Sequence, residues 1–503
     1  MNETKRPNIL FILSDDHGYW ALGKGCGGLD TLRTPNLDRI AGEGIKLENC
    51  FCASPVCSPA RASIMTGTIP SAHGIQDWLL GGSVDLDRCP YLKDKPEYKN
   101  EGKAIRYLDG KVCFTDLLAS VGYDIALSGK WHMGDSLNPQ HGYSRWYTIG
   151  RGGCHYMKPD MVEDGKVVYE DRYVTDLITD KALKFLDELA ANPDRPFMLD
   201  VRYTAPHSPW NKEQHPKEIF DTYADHDFSE LPDIEAHEWN YPAAVVHHGE
   251  KRRELLAGYY SAITAMDIGI GKLLDRLDEL GIADNTLVIF TGDNGMSMGH
   301  HGIWGKGNGT FPQNMYDTAV KVPFLARFPG VIPAGVCNDG LWSHYDIFPT
   351  IVELCGIDDP RENLPGHSML SALKGEETGD DDRAAVVYDE YGPVRMIRTK
   401  DWKLVRRYPY GPNELYDLLN DPNEDTNLYD NPDYAAKQEE LAGRLEDWFY
   451  RYVDPRIDAS KEPVTGYGQL SRSGVLSGGK CAFGGQEQIK KLMADRANKN
   501  KEN

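Results

Sequence analysis

The sequence predicts an α/β protein: a large, mostly parallel or mixed sheet sandwiched by helices, then a smaller C-terminal α+β domain with an antiparallel sheet. Three observations predict it. Short continuous apolar runs recur, each ending in a polar cluster, as buried parallel strands do. Amphipathic helical stretches lie between them. After a charged break at residues 379–382 (GDDD), the pattern changes to short β-type segments.

The elements follow in order. Residues 8–13 (NILFIL) read as a buried strand that runs into Ser14-Asp15-Asp16-His17-Gly18. Residues 34–44 read as a helix with Thr34 as N-cap, Pro35 at the first position and Gly44 past the end. Further strands are expected at 124–127, 197–202 and 287–291. They precede Ser128-Gly129-Lys130, Ala205-Pro206-His207 and Gly292-Asp293-Asn294. Helices are expected at 174–191 and 255–280. Ligands of open α/β sheets bind outside the C-terminal ends of strands, so the four polar clusters are expected to share one site. Beyond the break, strands are expected at 385–388, 394–399 and 403–407, and a helix at 434–453. The domains are then 1–378 and 379–503. The tail from 471 mixes Gly and Ser with Lys.

Composition narrows the function. A chain of 503 residues with 40% hydrophobic content can bury a large core without disulfides. A net charge of −22 argues against nucleic acid as partner. No two of the ten cysteines form a CxxC pair, which weakens a zinc or iron–sulfur reading. The apolar run at 9–13 is too short for a signal sequence or a membrane span. The chain as it stands reads as cytoplasmic, or as periplasmic or secreted if a leader has been removed.

The chemistry concentrates in a few segments. Residues 62–66 look like the first turn of a helix, which puts Cys57-Ser58-Pro59-Ala60-Arg61 on its N-terminal side, where backbone N–H groups favour an anion. Arg61 adds a planar fork of donors. Asp15-Asp16 from one loop and Asp293-Asn294 from another make an oxygen-only set suited to calcium or magnesium. Lys130, His132, His207 and Lys306 supply cations and proton-transfer groups. Aromatic and polar residues near these segments suit a sugar: Tyr19, Trp20, His73, Asp77, Trp78, Arg151, His155, Trp210, His300, His301 and Trp304.

The Cys57–Arg61 motif, followed by Ala62-Ser63-Ile64-Met65-Thr66-Gly67, resembles the signature of the sulfatases. So does Gly129-Lys130-Trp131-His132-Met133-Gly134. Gly366-His367-Ser368, Glu414-Leu415-Tyr416-Asp417-Leu418, Asp421-Pro422-Asn423-Glu424 and Asn427-Leu428 are similar to that family's later segments. The resemblance implies an alkaline-phosphatase-like fold and a sulfuric ester hydrolase. It implies that a maturation enzyme oxidises Cys57 to formylglycine. Asp15, Asp16, Asp293, Asn294 and the residue 57 oxygen would then hold calcium, with magnesium the alternative. His207 would be the general acid, Lys306 would sit by the bridging oxygen, and His132 would be the base that lets sulfate leave. The expected substrate is a sulfated small molecule or oligosaccharide, most of all a carbohydrate sulfate. The rival readings are a phosphonate monoester or phosphodiester hydrolase with the same nucleophile, and a non-catalytic binding protein on this scaffold.

Overall fold

The computed structural model describes residues 6–241, 244–359, 361–376 and 387–502. The break at 379–382 and residues 385–386 of one expected strand lie outside the described residues.

Ten strands form one sheet: β1 (Asn8–Ser14), β2 (Ile45–Phe51), β3 (Asp124–Gly129), β4 (Arg145–Ile149), β5 (Asp160–Glu163), β6 (Lys166–Tyr169), β7 (Phe197–Arg202), β8 (Thr286–Gly292), β9 (Lys321–Arg327) and β10 (Val336–Ser343). Their spatial order is β10-β2-β9-β8-β1-β7-β3-β4-β5-β6. β8, β1, β7, β3 and β4 run parallel, whereas β9 is antiparallel to both its neighbours and β5 and β6 close the other edge antiparallel. The central strands are buried on both faces, which is why they read as unbroken apolar runs.

Helices cover both faces. Ile9, Phe11 and Leu13 of β1 join a core with α2 (Cys57–Thr66), α3 (Phe114–Ser120) and α6 (Ile347–Leu354). Leu10 and Ile12 point the other way, into a core with α1 (Pro35–Gly42), α4 (Val174–Ala190) and α5 (Gly249–Glu279). In α4 the buried residues Leu177, Ile178, Ala182, Phe185, Leu186 and Leu189 follow the spacing of one helical face. Each large one contributes about 1.5–3 kcal/mol by burial, and a charge at Leu186 would break that face.

Three local expectations change. Thr34 precedes α1, but its hydroxyl accepts from Gly23 N at 2.8 Å and does not cap the helix. Asp267 of α5 accepts from Asn36 N (3.1 Å) and Leu37 N (2.8 Å) instead, so a distant carboxylate satisfies the free amides at the helix start. Helix α5 starts at Gly249, not 255, since Arg252 donates to the Phe228 and Leu231 carbonyls and holds the first turns in place. Helix α2 begins at Cys57 itself.

The C-terminal part holds a four-stranded antiparallel sheet, β11 (Val387–Tyr391), β12 (Val394–Arg398), β13 (Trp402–Arg407) and β14 (Glu414–Asp417), in that spatial order. β14 is the strand of this sheet that the sequence reading did not assign; in the large sheet it did not assign β2, β4, β5, β6, β9 and β10. Helix α7 (Ala435–Tyr452) packs Leu441, Leu445 and Phe449 onto Ile397, Leu404 and Leu415. The chain then returns to the large domain: Gln469 N donates to Trp78 O (2.7 Å), and Leu80 N donates to Gln469 O (2.8 Å). Among the described residues, no helix is long and apolar enough to cross a membrane.

Candidate active site

The strands β8, β1, β7 and β3 are adjacent and parallel, so their C-terminal ends lie side by side. From these ends come Asp293-Asn294, Asp15-Asp16, His207 and Lys130 with His132. Helix α2 brings Cys57 and Arg61, and the hairpin loop at 304–307 brings Lys306. Asp16 and His132 both adopt positive φ (61° and 53°), an uncommon backbone state for side chains of any size.

Three carboxylates and three cations meet here, all nearly fully buried. Lys130 Nζ lies 2.5 Å from Asp15 Oδ2. Arg61 Nε donates to Asp293 Oδ2 at 2.8 Å, its Nη1 donates to Lys130 O at 2.9 Å, and its Nη2 is 3.7 Å from Asp15 Oδ1. Lys306 bonds to Asp16 and lies 2.8 Å from Cys57 Sγ. Asn294 Nδ2 donates to Asp16 Oδ1 at 2.9 Å. Burial opposes the charge on Lys306, but Asp16, Cys57, Asp15 and Asp293 outweigh it and hold the ammonium well above its ordinary value. Burial pushes the Cys57 thiol up to about 12, although Lys130 and Lys306 pull it down. An unmodified Cys57 is therefore a thiol at neutral pH, a poor nucleophile.

Two oxygen atoms face this cluster without a hydrogen bond, Asp15 Oδ1 and Asn294 Oδ1, and both are buried. A buried acceptor left unmatched costs about 1–3 kcal/mol. Ligand atoms of Asp15, Asp16 and Cys57 lie within 4.8 Å of one another. An anionic, oxygen-rich set with free lone pairs fits a hard divalent cation.

The histidines differ. His132 Nε2 bonds to Leu79 O at 3.0 Å. A carbonyl only accepts, so Nε2 carries the proton and the buried, unpartnered Nδ1 has a free lone pair. Burial and Lys130 hold this imidazole well below its ordinary pKa, so it stays neutral. His207 Nδ1 donates to Ser208 O at 2.7 Å, which leaves Nε2 facing Asp16 Oδ2 at 3.8 Å. A Cβ at Gly152 would come within 2.0 Å of His132 Nε2, so a residue without a side chain is needed against that ring.

Above the cluster the cleft has two lobes, with cavity volumes of about 410 and 780 Å³. Trp78, Trp210, Trp304, Arg151 and His155 line one or the other. Neither lobe is lined by Tyr19, Trp20, His73, Asp77, His300 or His301, contrary to expectation. The Trp20 ring lies between Tyr259 and His300, with its N–H on Met296 O, and His301 stacks on Tyr316 at 3.8 Å. Tyr19 packs under Lys321, and His73 is buried against Ser63. Asp77 accepts from Trp78 N, Tyr391 Oη, Gly466 N and Gly468 N, so it fixes the cleft wall from behind. Sequence reasoning missed Tyr241, His247, Asn308 and Tyr467, which line the cleft from loops and from the returning C-terminal segment. Only the aromatic content of those stretches hinted at them.

Comparison with known proteins agrees with this geometry. The family model "Sulfatase" matches residues 7–357, and the model "N-sulphoglucosamine sulphohydrolase, C-terminal" matches residues 299–450. The chain is 29% identical to an N-acetylglucosamine-6-O-sulfatase of Bacteroides thetaiotaomicron, over 92% of this chain and 89% of that one. It is 28% identical to an ulvan-active sulfatase of Formosa agariphila, over 88% and 81%. A structure solved in complex with its substrate D-glucosamine-2-N,6-O-disulfate superposes with a TM-score of 0.70 at 26% identity, over 91% of this chain and 100% of that one. With the family model covering more than two thirds of its length and the fold matching, the chain belongs to the sulfatases, hydrolases of sulfuric esters with an alkaline-phosphatase-like sheet.

Proposed function

We propose that this sulfatase cleaves a carbohydrate sulfate, with Cys57 converted to formylglycine and calcium held by Asp15, Asp16, Asp293 and Asn294. One observation carries the reading: a buried, inert thiol at the start of a helix touches Lys306 and adjoins a carboxylate set that has unmatched oxygens. A formylglycine at residue 57 would supply the oxygen nucleophile, and a cation held by Asp15, Asp16, Asp293 and Asn294 would supply Lewis-acid polarisation of the sulfate.

The chain's own groups do the rest. Lys130 and Arg61 hold Asp15 and Asp293 in place through direct ion pairs. Lys306 sits at the mouth of the pocket, where charge builds on the sulfate oxygens as the ester bond breaks. His207, on the cleft side, gives a proton to the leaving alcohol from Nε2 when its ring is doubly protonated, Nδ1–H staying on the Ser208 carbonyl. His132 accepts one at Nδ1 when sulfate departs. The carbohydrate part is supported by the names of the relatives, by the sulfated glucosamine in the similar structure, and by a cleft that mixes indole rings with polar groups.

Peptide mass spectrometry after co-expression with a formylglycine-generating enzyme tests the nucleophile. The mass loss of thiol-to-aldehyde conversion at Cys57, together with sulfate release from sulfated sugars, is the expected result. An unmodified Cys57 in a preparation that still releases sulfate would overturn it.

A further inference from the structure

The two lobes of the cleft meet at the reacting centre. His207, Lys306, Trp78, Trp210, His247 and Asn308 line both. Asp16 closes the floor of the smaller lobe, and Cys57 and His132 that of the larger. Small-ligand sites run to roughly 300–1,000 Å³, and each lobe falls within that range on its own, at about 410 and 780 Å³. A single sulfated sugar leaves one of them unused.

The lobes differ in character. The smaller is walled by Tyr241, Val245, Met296, Trp304 and Tyr467, surfaces that stack on the CH faces of a sugar ring. The larger presents Glu97, Asn100, Glu101, Arg151, His155 and Asn211, which hydrogen-bond hydroxyls.

The charge of these walls is equally informative. Lys306 and Arg151 are the lysine and arginine among the lining residues. Lys306 is engaged by Asp16 and Cys57. Arg151 is held by Asp160 at 3.0 Å and by Glu97 O at 3.3 Å. Glu97 and Glu101 also line the larger lobe: Glu97 is exposed and accepts from Tyr169 Oη at 2.9 Å, and the half-buried Glu101 accepts from Ser83 N (2.8 Å) and Val84 N (3.0 Å). A polyanionic ligand needs cations in its flanking subsites, and here the flanks carry acids.

We infer that the substrate is an oligosaccharide whose sulfated sugar has uncharged neighbours, one lobe holding the sulfated unit and the other an adjacent sugar. This inference rests on the sulfatase reading above. A second sulfate or a uronate beside the scissile ester would meet the acidic side of the larger lobe, where Glu101 is half-buried and Glu97 exposed, and like charges repel.

Four substrates test it with the matured enzyme: an aryl sulfate, a monosulfated monosaccharide, a monosulfated oligosaccharide with neutral neighbours, and the same oligosaccharide with a second sulfate on the adjacent sugar. The expected kcat/KM rises at least roughly tenfold from the monosaccharide to the neutral oligosaccharide, and falls at least roughly tenfold when the second sulfate is added. Tyr467→Ala should shrink the first ratio and Glu101→Gln the second. Equal turnover of monosaccharide and oligosaccharide, or faster turnover of the doubly sulfated one, would overturn the inference while aryl sulfate turnover leaves the sulfatase reading standing. No turnover of any of the four would remove both.

Discussion

Two buried clusters of charge can be set side by side in this molecule. One is the proposed reacting centre at the ends of β8, β1, β7 and β3. The other locks the small sheet to the large domain: Lys403, on β13 and fully buried, bonds to Asp317, Glu424 and the Met315 carbonyl. Arg398 reaches Asp317 at 3.3 Å, and Asp317 N donates to Glu424 Oε2 at 2.6 Å. Both clusters pair carboxylates with cations. Both leave buried polar atoms unmatched, Arg398 Nε in the small-sheet cluster among them, but they differ in what lies beside those atoms. All three protons of Lys403 have acceptors, and neither lobe of the cleft reaches that cluster. At the reacting centre Asp15 Oδ1, Asn294 Oδ1 and His132 Nδ1 remain unmatched next to an open cleft. Buried charge alone marks no function. Buried charge with unmatched atoms beside an open cleft points to one, because a ligand entering there can remove that cost.

The contrast can be broken in four ways. Cys57→Ala should abolish turnover, by a factor of about 10⁴ or more, while the unfolding midpoint stays close to that of the parent. Steady-state kinetics alongside thermal unfolding check both halves, and substantial residual turnover would defeat the proposed nucleophile. Lys403→Met should do the reverse. It strands Asp317 and Glu424, at a cost of roughly 3–5 kcal/mol, and the protein that remains folded should keep its kcat. Denaturant unfolding and active-site-normalised rates separate the two effects.

Gly152→Ala sharpens the comparison from inside the cleft. The added methyl would meet His132 Nε2 and displace the ring from the Leu79 carbonyl. A shift of that size should lower kcat by up to roughly 100-fold, with a stability loss of about 1–3 kcal/mol from the clash and the lost hydrogen bond. An unchanged kcat would argue that His132 moves no proton. The smallest effect is a binding one. Calcium at about 100 times its dissociation constant should stabilise the fold by about 2.7 kcal/mol. Asn294→Ala, which removes an unmatched oxygen, should weaken that response, whereas Lys403→Met should retain it. Magnesium in place of calcium shows which ion the site prefers.

Much of this was readable along the chain. Asp15, Asp16, Asp293, Asn294, Lys130 and His207 each follow an apolar run, and a strand end has only one place to deliver a polar residue. The Cys57–Arg61 motif was equally plain through its resemblance to the sulfatase signature, although the helix was expected to start only at Ala62 and in fact starts at Cys57. The small sheet was found in outline, but β14 was missed because four residues with an acid at each end carry little periodicity. Trp20 and His301 were misjudged for one reason: proximity in sequence to a site residue does not say which way a side chain turns. Trp20 turned inward to Tyr259, and His301 turned to Tyr316.

The sequence by itself determined the layers, the strand ends that carry chemistry and the family. It did so because local periodicity and short motifs are written over a few consecutive residues. Only the tertiary structure decided that the four chemical strands are neighbours, that Asp267 rather than Thr34 caps α1, and that Tyr467 and Asn308 complete the cleft. Those facts depend on contacts between segments as far apart as Trp78 and Gly466, which are joined by an indole N–H to carbonyl bond of 2.9 Å. Such pairings are selected by packing of the whole core, and no stretch of the chain encodes them alone.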